Sequence, residues 1–240
     1  MNDITAASLS YGIYKTDMPA DKPVHVAFVD MGAMDTSVSI VSFVKGKLTV
    51  LATACDRTLG GRDFDMILAE HFAAEWKEKH KIDAKTNKKA MYRLVTACEK
   101  TKKVLSANPQ APINIECFME DIDVKGMMER DEMLTVGAPL LARLDGILDE
   151  AFKASGLTME DINSVEVLGG SVRIPAVHDR IAAFFKKETC SKTLNFDECV
   201  AKGCALQCAM LSPAFKVRDT SAHPHPHPHP QPYPYPHPHP

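Results

Sequence analysis

Apolar positions along this chain fall into blocks whose spacing changes from one segment to the next. Residues 24–29 are nearly all apolar, the pattern of a strand covered on both faces. Residues 36–44 alternate and are rich in Val, Ser and Ile, and Lys45-Gly46-Lys47 turns them into a third run over 48–53. That arrangement predicts an antiparallel meander. The spacing then becomes helical: Phe64, Ile67, Leu68, Phe72 and Trp76 share one face. A second helix is predicted over 89–106, stopped by Asn108-Pro109, and a strand over 113–118. A long helix is predicted over 129–154, with Leu140, Leu144, Ile147, Leu148 and Ala151 inward and Gly156 as its stop. A short buried strand, 164–168, runs into Gly169-Gly170. Pro175 opens a helix at its first-turn position, with Val177, Ile181, Phe184 and Phe185 facing inward, and a last helix covers about 197–211. Near the N-terminus, residues 5–12 read as the last turns of a helix ended by Gly12, as though something preceded them; 17–23 read as a loop. Interleaved strands and helices give the class α/β, with mixed α+β character.

The composition breaks near Thr220. From His223 to Pro240 every second residue is proline, and the residues between are His, Gln or Tyr. Proline fixes φ and lacks an amide donor, so a solvated polyproline II tail is expected over 220–240, after one domain over 1–219. Its six histidines could bind zinc, copper or nickel weakly. The chain as a whole has ordinary globular values, 45% apolar and 25% charged, enough to bury a core. A net charge of −3 with interspersed signs gives no pull toward nucleic acid or an anionic membrane. No apolar run approaches the ~20 residues of a membrane span. The N-terminus lacks the pattern of a signal peptide. Seven cysteines are scattered; Cys199, Cys204 and Cys208 lie close but match no zinc spacing. Reduced, buried thiols in a cytoplasmic (or also nuclear) protein are the expectation.

Three glycine sites sit where chemistry could occur. Asp30-Met31-Gly32 follows the first strand, a place where a carboxylate can hold a hydrated metal ion near phosphates. Leu59-Gly60-Gly61-Arg62-Asp63-Phe64-Asp65 opens a helix, and its paired glycines would expose backbone amides to an anion. Leu168-Gly169-Gly170-Ser171-Val172-Arg173-Ile174-Pro175 is a strand-to-helix turn at which backbone can approach a ligand. Each alone is more often a tight turn; three in this order are more specific. Glu99, Lys102 and Lys103 stand at i, i+3 and i+4 on one helix face, followed by Ser106.

These glycine segments resemble the ATPase domain of the seventy-kilodalton heat-shock chaperone family. So do Cys98-Glu99-Lys100-Thr101-Lys102-Lys103-Val104-Leu105-Ser106 and Leu194-Asn195-Phe196-Asp197-Glu198-Cys199-Val200-Ala201-Lys202-Gly203. Ile115-Glu116-Cys117-Phe118-Met119 is most similar to the large subfamily of about 110 kDa, whose members act as nucleotide-exchange partners and holdases. Gly203-Cys204-Ala205-Leu206-Gln207-Cys208-Ala209 and Ser212-Pro213-Ala214-Phe215-Lys216-Val217-Arg218 point the same way. The resemblance implies an actin-like fold, of which 1–218 supply the second lobe and the closing helix of the first. It implies ATP or ADP with magnesium as cofactor. Glu99, Lys102, Lys103 and Ser106 would line the adenosine pocket, beside the Gly60-Gly61 turn. Gly169, Gly170, Ser171, Arg173 and Ile174 would wrap sugar, α-phosphate and base. Asp197 would sit near the nucleotide, and Asp30, beside Gly32, would hold magnesium-bound water. A seventy-kilodalton partner chaperone and unfolded clients are the implied partners.

Departures from the family pattern cluster at one loop. The family's Asp-Leu-Gly-Gly-Gly-Thr-Phe-Asp reads here Asp30-Met31-Gly32-Ala33-Met34-Asp35-Thr36-Ser37. Ala33 and Met34 would block backbone approach, Asp35 would repel phosphate, and Ser37 removes a carboxylate from the metal's surroundings. The first lobe, with its own phosphate loop and catalytic lysine, would lie outside this chain, as would the substrate-binding domain. Phosphoryl transfer depends on positioning and electrostatic clamping. Half a clamp is therefore expected, with weakened or lost nucleotide binding, no catalytic residues and no useful hydrolysis. A nucleotide-independent interaction module, formed partly by the helices at 61–80 and 89–106, is the alternative. The last helix is expected to pack on the absent lobe and so to be loosely held.

Overall fold

The computed structural model describes residues 1–15, 19 and 22–212. The expected tail, most of the loop at 17–23 and the segment 213–218 lie outside the described residues. Six helices and six strands are formed among the described residues: α1 (Asp3–Tyr14), β1 (Val24–Met31), β2 (Thr36–Val44), β3 (Lys47–Asp56), α2 (Gly61–His80), α3 (Lys88–Leu105), β4 (Gln110–Met119), β5 (Ile122–Glu129), α4 (Arg130–Ser155), β6 (Ile162–Leu168), α5 (Pro175–Phe184) and α6 (Cys199–Leu211). Short 3-10 turns occupy Ala84–Thr86 and Gly170–Arg173.

The main sheet has the order β3-β2-β1-β6. The first three strands form the expected antiparallel meander, and β6 joins β1 in parallel. Apolar residues on both faces of β1 explain its nearly continuous hydrophobic run. Ala27, Val29 and Met31 enter the larger core, under α2, α4 and α5; Val26 and Phe28 enter a smaller core with Ile4, Tyr11 and Phe43. Tyr11 meets Phe28 edge-on at 5.3 Å. The hairpin β4-β5 is a separate two-stranded sheet covered by α3. Trp76 of α2 joins the two parts of the larger core, 5.4 Å from Phe72 and 5.3 Å from Phe118 on β4. Among the described residues no helix is long and apolar enough to cross a membrane.

Four expectations need correction. Gly12 does not end α1, which runs to Tyr14; a Cβ there would stand 3.0 Å from the Phe43 ring, so the glycine lets the helix lie against β2. Strand β5 had no counterpart in the pattern. Its turn residues, Glu120 and Asp121, both have positive φ (52° and 55°) without the Asn-Gly that usually marks such a turn. The last helix begins at Cys199, not 197, because Asn195 holds the preceding turn: its carbonyl accepts from the Glu198 and Cys199 amides, and its side chain accepts from the Asp197 amide. Finally, α6 packs on α1 of this same chain. A Cβ on Gly203 would lie 1.9 Å from the Ala6 carbonyl oxygen, so the two backbones are in direct contact.

Candidate functional site

Strands β1 and β6 end side by side, with Asp30 opposite Leu168, so the loops that follow them are neighbours. A crevice outside the carboxyl ends of such strands is where open α/β sheets hold ligands. Gly169 has φ +83°, and a Cβ on it would stand 2.3 Å from the Met31 carbonyl oxygen and 2.6 Å from Asp30 Oδ1. Only glycine meets both demands. Across the junction Ser171 Oγ donates to the Gly32 carbonyl at 2.7 Å. Burial, with the negative charges of Asp3 and Asp35, pushes the Asp30 carboxyl up to about 6.

The start of α2 is tucked beneath the loop after β1. The Gly61 amide donates to the Gly32 carbonyl (3.0 Å) and the Arg62 amide to the Ala33 carbonyl (2.9 Å). The Gly60 amide donates to Asp63 Oδ2 (2.7 Å), and the Asp63 amide to the Gly60 carbonyl (3.2 Å). These amides were expected to face an anion; the loop carbonyls and the Asp63 cap have taken them instead. Gly60 is small for packing reasons, since a Cβ would reach within 2.5 Å of the Ala33 and Met34 backbone.

Helix α3 is capped by Asn87, whose side chain accepts from the Lys89 and Ala90 amides, and anchored by buried Leu94, Cys98 and Leu105. Its last turns carry the polar set. Lys102 is turned inward: Nζ donates to the Gly61 carbonyl and pairs with Asp65 Oδ1, both at 2.7 Å. The Lys102 and Asp65 side chains are only 12% and 6% exposed. Burial pushes the Asp65 carboxyl up, against the pull of Lys102. Glu99 and Lys103 pair at 2.6 Å in a far more exposed position, which lowers the one pKa and raises the other. Ser106 Oγ donates to the Lys102 carbonyl at 3.2 Å.

These elements enclose a cavity of about 760 Å³. Gly61, Glu99, Lys102, Lys103, Ser106, Gly170, Ser171, Arg173 and Ile174 line it, all of them residues singled out in the sequence. Ala33, Arg62 and Asp65 complete the lining. The sequence signal for Asp65 is its place one helical turn beyond Gly61, on the same face. Asp30, Gly32, Gly60 and Gly169 are not in the lining; of these, Gly32 is tied to it through its carbonyl, which accepts from Ser171 Oγ and the Gly61 amide. Asp197 is exposed and also outside it, on the turn before α6. Its neighbour Phe196 lies under the Arg173 guanidinium at 4.9 Å, which ties that turn to the rim.

The volume falls within the usual range of small-ligand sites, roughly 300–1,000 Å³. A nucleoside fits the lining: Glu99, Lys103, Ser106 and Arg173 offer both donors and acceptors, Ile174 is apolar, and the space beside the Gly170 Cα is open for at least 4 Å. The phosphate end fits poorly. The α2 amides are committed, and Asp35 is exposed on the loop where anionic oxygens would approach. Among the described residues no three His, Cys, Asp or Glu side chains are placed to hold a metal ion. A second, shallower groove of about 380 Å³ lies between α3 and β4; it is mainly apolar, with Tyr92 and Val104 exposed along it.

The family model described as Hsp70 protein matches residues 1–223. "Heat shock 70 kDa protein 14" of Arabidopsis thaliana is 50% identical over 223 residues, 93% of this chain and 27% of that protein. "Heat shock 70 kDa protein 4" of Homo sapiens is 53% identical over 224 residues, covering 92% and 26% respectively. The "97 kDa heat shock protein" of Strongylocentrotus purpuratus is 51% identical over 222 residues, covering 91% and 25%. The chain therefore spans about a quarter of the length of the curated relatives it matches. It belongs to the Hsp70 family, and its sheet and helices are those of an actin-like ATPase domain.

Proposed function

We propose that this member of the Hsp70 family binds the adenosine part of an adenine nucleotide in the 760 Å³ cavity and serves, in the cytoplasm or nucleus, as part of a nucleotide-exchange partner and holdase for seventy-kilodalton chaperones. One observation carries the reading: three segments far apart in sequence, 61–65, 99–106 and 170–174, converge on a single cavity. Similarity to large heat-shock proteins of 97 kDa and related kinds supports the chaperone part. Because the α2 amides are spent within the protein, affinity comes from the nucleoside more than from the phosphates. ATP hydrolysis is no part of the reading. Magnesium would be held by nucleotide phosphates and water, not by a protein cage.

Competition against a fluorescent ADP analogue tests this. Adenosine, ADP and ATP should displace it at concentrations within about tenfold of one another, that is within about 1.4 kcal/mol. The double variant Arg173→Ala, Ser106→Ala should weaken all three alike. Absence of saturable binding, or a hundredfold preference for ATP over adenosine, overturns the proposal.

A nucleotide-independent interaction module is the second reading, favoured by the apolar groove between α3 and β4 and by the 74% exposure of Tyr92 beside it. Capture of a seventy-kilodalton chaperone, equal with and without ADP and lost in Tyr92→Ala, would favour it over the first.

A further inference from the structure

Of the seven cysteines, three are buried and four exposed, so the expectation of uniformly buried thiols fails for the majority. Burial pushes the Cys98 thiol up to about 12 and Cys190 to about 11, and raises Cys199 as well. Those three are poor nucleophiles at neutral pH. Cys55 and Cys117 are exposed but belong to different strands, β3 and β4. Cys204 and Cys208 differ from all of these. Both are exposed, both lie inside the 13-residue helix α6, and they are four residues apart. That spacing stacks their side chains on one face, with Cβ atoms about 5–6 Å apart. The orientation of the helix is fixed by the contact of Gly203 with Ala6, while the pair Lys202–Glu198 occupies another face.

The separation decides what such a pair can take. A disulfide needs Cβ atoms roughly 3.5–4.5 Å apart, so closing one here would distort the helix. A bridging atom lengthens the link and removes that demand. Zinc is a poor candidate, because it takes four ligands and no third His, Cys, Asp or Glu completes the set among the described residues. The geometry points to Cys204 and Cys208 as a helical dithiol that captures a soft, thiol-seeking centre with two open positions, of the class of monosubstituted trivalent arsenicals. The step is a condensation without redox change. Each thiol gives up its proton, two S–As bonds form, the bond from arsenic to its oxo oxygen breaks, and oxygen leaves with both protons as one water. Arsenic remains trivalent. Holding the second thiol beside the first makes the second bond intramolecular, which is why the chelate outlasts a single S–As bond.

Phenylarsine oxide is the probe, added to the full 240-residue chain under reducing-agent-free conditions, with intact mass as the readout. One adduct per chain should form and survive a large excess of a monothiol, yet be removed by a small dithiol. Cys204→Ser and Cys208→Ser should each lose this resistance, by at least about a hundredfold in the monothiol concentration tolerated, matching the avidity of a tethered second site. The variant Cys55→Ser, Cys117→Ser should retain it. Retention in either helix variant, its loss in the Cys55, Cys117 variant, or ready removal of the wild-type adduct by monothiol overturns the assignment. Helical circular dichroism of each serine variant, expected to match wild type, separates loss of the thiol from loss of the fold.

Discussion

Replacing Lys102 by methionine isolates the contact that closes the floor of the cavity. The substitution keeps length and apolar stem but removes the charge that faces Asp65 at 2.7 Å. At an effective dielectric constant of ~20 that separation corresponds to about 6 kcal/mol of gross attraction. Desolvation consumes much of it, as the upward push on the Asp65 carboxyl shows even with Lys102 in place. The net worth of the pair is therefore small, while truncating one member leaves a buried charge without its partner, a change that costs about 3–5 kcal/mol. For a domain of this size that is a fall of about 6–20 °C in Tm. The double variant Lys102→Met, Asp65→Leu removes both charges and should return to within about 1 kcal/mol of wild type. Urea unfolding followed by fluorescence is suited to the measurement, since the single tryptophan, Trp76, is buried on the helix that carries Asp65. The sign with pH follows from the raised pKa. A carboxyl whose folded pKa exceeds its unfolded value contributes stability that is complete below the unfolded pKa and is lost as pH rises through the folded one. Without Lys102 that pKa rises further, so the deficit of Lys102→Met should shrink on acidification. A loss below about 1 kcal/mol at pH 7, or a double variant as damaged as the single, would refute the picture of a desolvated pair.

Gly203→Ala should be among the most damaging single-methyl additions in the chain, because its Cβ would stand 1.9 Å from the Ala6 carbonyl and the neighbour is backbone. A loss of about 1–3 kcal/mol or more is expected, with hydrogen exchange rising in both α1 and α6; unchanged protection in α1 would separate the two helices energetically. Glu166 is buried and accepts from the Thr193 amide at 3.1 Å, yet burial still raises its carboxyl. Stability carried by its protonated form is complete below about 4.3 and is lost as pH rises through the folded value, so Glu166→Gln should flatten that fall. Parallel plots of Tm against pH for the two proteins would count against it.

How much of this was legible in the sequence depends on whether a signal is local. The runs that became β1, β2 and β3 were visible because burial on one or both faces leaves a periodicity within a single segment. The stops at Gly156, with φ +68°, and the start at Pro175 were visible because backbone geometry restricts those positions to few residue types. What escaped was specified by partners distant in sequence. Gly12, Gly60 and Gly203 resemble punctuation, but each is small because Phe43, the Ala33–Met34 backbone or Ala6 presses on it. The β4-β5 hairpin escaped because its Glu120-Asp121 turn is held by pairing across Met119 and Ile122, not by a turn residue that would announce it. The site shows the same division. Motif residues located the cavity, nine of its lining positions included, because each motif carries several constrained residues in a row. The fate of the α2 amides was not readable, since it depends on which carbonyls the loop 32–34 presents to them. That loop is where the family pattern is altered. A loop whose own Gly32 and Ala33 carbonyls satisfy the helix no longer needs a phosphate to do so, and a cavity built this way can stay folded whether or not nucleotide is bound.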